Sequence, residues 1–326
     1  VKGDPAIPSN HGQLCVKGRF GLIDYNISEE RLTTPLIRKD GKLVPATWEE
    51  AMSLVASKFL EIKQKYGPNA IQGLSSAKIC NEENYLFQKI FRALVGTNNV
   101  DHCARLCHAS TVAGLALAFG SGAMTNASDE LEFAKCILIT GSNTTETHPI
   151  IALRVKAAIK RGCKLIIADP RKINLCSYAT MHIRQRPGTD VCLYNAMMNV
   201  IMQEGLANKK FIEEHTENFA AFAAEVSKYT PEEAELITGV AANDIRKVAR
   251  IYATSESSSI IFSMGITQHS VGVDNVLTLA NLAMLCGQIG RPSTGVNPLR
   301  GQNNVQGACD MGALPNVYSG YQKVID

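Results

Sequence analysis

Three short apolar runs constrain the fold of this chain more than any other feature. Cys136-Ile-Leu-Ile-Thr-Gly141, Lys164-Leu-Ile-Ile-Ala-Asp169 and Ser259-Ile-Ile-Phe-Ser-Met264 are each about one strand long and apolar at consecutive positions. A strand apolar on both faces must be covered on both faces, which is the pattern of a parallel sheet sandwiched between helices. Segments of helical period lie between the runs, at about 149–161, 191–205, 209–214, 219–228, 242–253 and 275–286, with a shorter strand at 181–184. Strands that alternate with helices predict an α/β protein with doubly wound αβα layers and mostly parallel sheets.

The first hundred residues carry a second, smaller α/β pattern. Thr47-Trp48-Glu49-Glu50 is a capping box, with Thr47 as N-cap and Glu50 three residues on. Apolar positions at helical spacing run from there to about Tyr66, where Gly67-Pro68 stops the helix. A short strand is predicted at 70–74 and a helix at 81–94, and 112–119 reads as a buried helix. Residues 1–40 read as irregular, and so does the tail from Gly295, which is dense in Gly, Asn and Gln.

Hydrophobic residues make up 45% and charged residues 19%, the balance of an ordinary globular enzyme. The net charge of +3 is dispersed, which argues against nucleic acid as a partner. No apolar run approaches the ~20 residues that cross a bilayer, so direct membrane insertion is not expected. Ten scattered cysteines in 326 residues do not form a disulfide scaffold and read as reduced thiols, which predicts a cytoplasmic protein.

In doubly wound sheets, ligands bind beyond the carboxyl ends of the strands. Those ends carry Gly141-Ser142-Asn143, Asp169-Pro170-Arg171 and Met264-Gly265. Asp169 can hold a ribose hydroxyl or simply cap a helix. The Gly-x-Gly-x-x-Gly fingerprint is missing after Thr140, and Gly120-Ser121-Gly122 follows a helix, so an ordinary NAD site is not supported. Cys103-Ala-Arg-Leu-Cys107-His108 does not have the spacing of common zinc pairs. A thiolate there would suit a soft metal, yet alone the motif reads more readily as a core cysteine beside a surface histidine. Cys15 is one thiol where an iron–sulfur cluster needs about four. Arg300 offers a fork for a carboxylate, as many solvated arginines do.

Taken together, several stretches resemble one family. They are Gln13-Leu-Cys15-Val-Lys17-Gly18, Gly96-Thr-Asn-Asn-Val-Asp101, Cys103-Ala-Arg-Leu-Cys107-His108, Val112-Ala-Gly114, His148-Pro149-Ile150, Asp169-Pro-Arg-Lys172 and the long run from Gly295 to Pro315. The chain resembles the formate dehydrogenase branch of the molybdopterin oxidoreductases, in a cysteine-containing form, over essentially its whole length. The resemblance implies oxidation of formate to CO2, or the reverse, at molybdenum or tungsten held by two molybdopterin guanine dinucleotides. It implies Cys107 at the metal with His108 beside it, free to take a proton or stabilise charge, and Arg300 orienting formate. Cys15 would close a [4Fe–4S] cluster and Lys17 would lie on the electron path. Lys78, Asn143, Glu146, Thr147, Asp169, Arg171, Gly188, Asp190, Met264, Gly265, Gln268 and Gln302 would bind the two dinucleotides. Electrons would leave to iron–sulfur partners: a hydrogenase, a ferredoxin-like protein or an NAD module.

The resemblance also implies three domains: 1–40 from an iron–sulfur domain, 41–102 with 303–326 returning to it, and 103–302 as the larger dinucleotide-like domain. Two departures stand out. The family's C-x₂-C-x₃-C segment is absent upstream of Cys15, and so is the later half of the subunit, which implies a portion of a longer enzyme, inactive alone. Lys78 replaces an expected arginine, keeping the charge but not the fork. Rival readings are a nitrate- or polysulfide-type reductase and a non-catalytic accessory subunit of the same fold. The combination of Cys107, His108 and Arg300 argues against both, and the missing glycine fingerprint argues against an NAD-dependent dehydrogenase.

Overall fold

The computed structural model describes residues 1–8 and 10–325, which divide into two compact units. One comprises Val1, residues 16–105 and residues 302–326; the other comprises residues 2–15 and 106–301.

The smaller unit holds two small sheets. Strands β1 (Leu36–Lys39) and β2 (Lys42–Pro45) form an antiparallel hairpin. Its two-residue turn, Asp40-Gly41, has positive φ at both positions, as a tight hairpin requires. The capping box at Thr47 forms as the sequence predicts and opens the helix Trp48–Tyr66. Strands β3 (Gly73–Ser75) and β4 (Val100–His102) pair in parallel. The helix Asn81–Lys89 continues as a wider π-turn, Ile90–Val95. Arg92 on that turn donates to the carbonyls of Gly312, Leu314 and Val317, which fixes the C-terminal segment to this unit.

The larger unit is built on a five-stranded, wholly parallel sheet in the order β7-β6-β5-β8-β9. The strands are β5 (Cys136–Thr140), β6 (Lys164–Ala168), β7 (Met181–Ile183), β8 (Ser258–Phe262) and β9 (Gly295–Pro298). Their side chains alternate between two cores. Leu138, Ile166, Ile260 and Val296 pack with the helices Asp190–Gln203, Ala242–Thr254 and Gly272–Leu285. Ile137, Ile139, Leu165, Ile167 and Ile261 pack on the other face with the helix Pro149–Lys160. Both faces are covered, which is why the strands are apolar at consecutive positions.

The chain winds from β5 outward through β6 to β7, then returns to the other side of β5 for β8 and β9. The reversal falls between β5 and β8, where their carboxyl ends part into a crevice. At its base Gly141 and Gly265 meet backbone to backbone, Gly265 N–H donating to the Gly141 carbonyl at 3.0 Å. A Cβ on Gly265 would lie 2.5 Å from the Gly141 Cα, and Gly141 itself has φ of +56°. Only glycine fits either position.

The structure corrects several sequence expectations. The tail from Gly295 is not irregular throughout: it supplies β9 and the short helix Val305–Asp310. β9 escaped detection because Asn297 is buried in it, its amide donating to Ser259 Oγ at 2.8 Å, and because Pro298 ends it. Proline is tolerated there because β9 is an edge strand. Within 1–40, residues Lys17–Gly21 and Leu22–Ile27 are helical and β1 begins. The helix Pro231–Thr238, with its own Thr230 capping box, was not predicted. The helix Ala109–Phe119 is buried only on the side of Thr111, Gly114 and Leu115. Among the described residues no helix is long and apolar enough to cross a membrane.

Two stability effects follow from this packing. Leu138→Ala, in the centre of the buried sheet, is expected to cost about 2–5 kcal/mol, whereas Leu236→Ala, on a residue 78% exposed, should stay within about 0.5 kcal/mol in denaturant titration. Gly265→Ala is expected to cost about 1–3 kcal/mol by forcing the Gly141 backbone away, read as a lowered denaturation midpoint. An unchanged midpoint would show that the two glycines do not need their close approach.

Candidate functional site

The crevice at the winding reversal is a cleft of about 360 Å³ in the larger unit. Its walls come from the three strand ends that the sequence marked. Gly141, Ser142 and Asn143 follow β5, Asp169, Pro170 and Arg171 follow β6, and Ser263, Met264 and Gly265 follow β8. Thr147, Gln185, Pro187, Asp190 and His269 complete it. Of the sequence-predicted residues, the cleft thus brings together Asn143, Thr147, Asp169, Arg171, Asp190, Met264 and Gly265. Glu146, Gly188 and Gln268 lie next to lining residues in the chain but do not line it.

The floor of the cleft is polar and buried. Asp169 Oδ1 accepts from the Arg171 backbone N–H at 2.8 Å, fixing the loop after β6. Asp190, at the start of its helix, accepts from Gln185 Nε2 at 3.0 Å, and burial pushes its carboxyl above the usual range. Gln185 also donates to the Ala168 carbonyl, while its own Oε1 is buried with no hydrogen-bond partner. Buried carbonyl oxygens are nearly always satisfied, so this acceptor points to a donor supplied by a bound group or an ordered water. Sequence reasoning missed Gln185; its signal was its place just past the end of β7. A cleft with buried carboxylates, an amide acceptor and a glycine-lined base suits a polar, nucleotide-like ligand.

A second cluster lies around His108. Cys107 is buried and His108 completely so. The turn that carries them is held by the segment after β8: Thr267 Oγ1 donates to the Cys107 carbonyl at 2.6 Å and Gln268 Nε2 to the Leu106 carbonyl at 2.6 Å. His108 Nε2 lies 2.9 Å from the Leu299 carbonyl. A carbonyl only accepts, so Nε2 carries the proton, and Nδ1 accepts from Thr111 Oγ1 at 2.8 Å. Burial, then the charge of Arg300, lowers the His108 pKa to about 4. Both ring nitrogens are thus engaged, and the imidazole links the Cys107 turn to the Leu299–Arg300 turn. Arg300 is half-buried and its Nη2 donates to the Gly122 carbonyl at 2.6 Å.

The remaining predicted residues are not part of these clusters. Cys15 is half-buried in the larger unit's N-terminal segment. Lys17, Lys78 and Gln302 belong to the smaller unit, where both lysines are exposed and Gln302 Oε1 is buried with no hydrogen-bond partner. Among the described residues no group of three or more His, Cys, Asp or Glu side chains could hold a metal ion. Cys15 alone does not make a cluster site.

Comparison with known proteins fits this geometry. The family model described as molybdopterin oxidoreductase matches residues 31–325. The F420-dependent formate dehydrogenase 1 subunit alpha of Methanococcus maripaludis is 49% identical over 97% of this chain and 46% of its own length. The F420-dependent formate dehydrogenase subunit alpha of Methanocaldococcus jannaschii is 50% identical over 98% of this chain and 46% of its own. Formate dehydrogenase H of Escherichia coli is 48% identical over 98% and 45%. The chain spans about half the length of these relatives. Among solved structures, acetylene hydratase from Pelobacter acetylenicus superposes with a TM-score of 0.77 at 25% identity, covering 88% of this chain and 40% of that one. With a parallel sheet, a cleft at its winding reversal and a match along nearly its whole length, the chain belongs to the molybdopterin oxidoreductase family.

Proposed function

We propose that this chain carries the catalytic centre of a formate dehydrogenase, which oxidises formate to CO2 or runs the reverse reaction. The observation that carries the reading is the bond from His108 to the Leu299 carbonyl. It brings a buried thiol, Cys107, and a cationic fork, Arg300, to adjoining turns. Relatives at about half identity that are named formate dehydrogenases support the substrate.

The proposed cofactor is molybdenum or tungsten with two molybdopterin guanine dinucleotides, of which the cleft would take one. The residues fit it: Asp169, Asp190 and the orphaned Gln185 acceptor offer partners for hydroxyl and N–H groups. Lys78 and Gln302, with Glu146, Gly188 and Gln268, are proposed as further dinucleotide contacts. Cys107 supplies the soft ligand that such a metal takes. When bound, the metal centre supplies the two-electron redox chemistry that protein side chains lack.

The chain's own residues bind and orient. Arg300 holds the formate carboxylate through paired N–H groups. His108, kept neutral by burial and by Arg300, leaves the local positive charge to the guanidinium, which favours an anionic substrate. In the same reading Cys15 is one ligand of a [4Fe–4S] cluster and Lys17 lies on the electron path. Iron–sulfur subunits of a hydrogenase, ferredoxin-like or NAD module receive the electrons, in the cytoplasm.

The test is metal analysis with viologen-linked formate oxidation on the full-length subunit that contains this segment. Cys107→Ala and Arg300→Ala are each expected to lower turnover by about a hundredfold or more while bound metal is largely kept. Near-wild-type turnover in either variant would sink its assigned role. Molybdenum or tungsten without formate activity would point to another oxyanion reductase, and absence of both to an accessory subunit.

A further inference from the structure

Arg300 is useful only if its guanidinium is aimed; its Nη2 is held by the Gly122 carbonyl, and its backbone is held as well. Two successive carbonyls after β9 are each met by an imidazole. His108 Nε2 lies 2.9 Å from the Leu299 carbonyl and His148 Nε2 lies 2.6 Å from the Arg300 carbonyl. Ser263 Oγ donates to the same Leu299 oxygen at 3.2 Å, and Leu299 N–H donates to the Phe262 carbonyl at 2.8 Å. The peptide that enters Arg300 is thus anchored to β8. The peptide that leaves it is met by His148.

His148 comes from a different part of the larger unit. It ends the Thr144–Thr147 turn that follows β5, and Pro149 begins the next helix immediately after it. Proline biases the residue before it away from helical ψ, and His148 has φ of −137° and ψ of 62°. The ring's other nitrogen, Nδ1, lies 2.8 Å from Thr147 Oγ1. Thr147 Oγ1 also lies 3.0 Å from the Asn143 carbonyl. Both Thr147 and Asn143 line the cleft. A single half-buried ring therefore bridges the wall of the cleft and the backbone of the arginine.

We infer that His148 is a positioning residue for Arg300, helping to set the direction of the anion-binding fork from the wall of the cofactor cleft. This rests on the proposed formate reading for its substrate, though not for its geometry. His148 touches no reacting atom in this scheme; it acts through the Arg300 carbonyl.

The two nitrogens can be separated by substitution. The amide nitrogen of glutamine overlays Nε2 of histidine, whereas that of asparagine overlays Nδ1. In the full-length loaded enzyme, His148→Asn is expected to raise KM for formate about tenfold with a smaller change in kcat, since a displaced fork loses ground-state binding. His148→Gln should return KM to within about threefold of wild type. Hydrogen exchange at the backbone amides of residues 300 and 301 should quicken in His148→Asn and not in His148→Gln. Guanine nucleotide and metal content should be unchanged in both. A pair of variants that behave alike, whether in folding, in KM or in exchange, overturns the assignment. So does loss of nucleotide from His148→Asn, which would make His148 a support of the cleft alone. If the wild-type enzyme oxidises no formate, the proposed activity falls, and the exchange comparison still decides whether His148 holds the arginine.

Discussion

Everything in the larger unit depends on the parallel pairing of β5 with β6 on one side and β8 on the other. Parallel strands need long crossovers, and those crossovers become the helices that cover both faces. The first crossovers build outward to β7, and the later ones must start again beside β5. Loops leaving β5 and β8 therefore diverge above the sheet. The cleft follows from this topology, and Gly141 against Gly265 is the place where the two diverging backbones still touch.

The same constraint explains how residues far apart in the chain meet. Cys107-His108 precedes the sheet and Leu299-Arg300 follows its last strand, yet both are drawn to the carboxyl end of β8. A fully buried imidazole must satisfy both nitrogens. His108 does so by bonding to Thr111 in its own helix and to the carbonyl beside Arg300. That is a specific bond between two turns rather than apolar packing, and it fixes distances more tightly than packing alone does. The superposition on a protein named acetylene hydratase shows a shared scaffold, and a scaffold does not by itself choose a reaction. The choice lies in which side chains stand at the strand ends.

Much of this architecture is legible in the order of residues. The three apolar runs announce a sheet buried on both sides, the Thr47 capping box announces its helix, and the strand-end residues Asn143, Asp169, Met264 and Gly265 are the ones that line the cleft. These signals are local: a period, a cap, a polar residue after an apolar run. β9 was not legible, because its buried Asn297 is paid for by Ser259, a partner 38 residues away. Gln185 carried only the weak signal of standing just past β7, since its partner Asp190 and its orphaned oxygen acquire meaning only inside the cleft.

The sequence by itself determined the fold class and the family, since apolar period, turn residues and motif spacing are properties of the chain as written. Only the tertiary structure decided what those residues do to one another. It set both His108 nitrogens against partners, Thr111 and the Leu299 carbonyl, and it set His148 against the Arg300 carbonyl across 152 positions of sequence. The physical reason is that burial and hydrogen-bond partners at long range fix protonation and direction, and neither is encoded by any one segment alone.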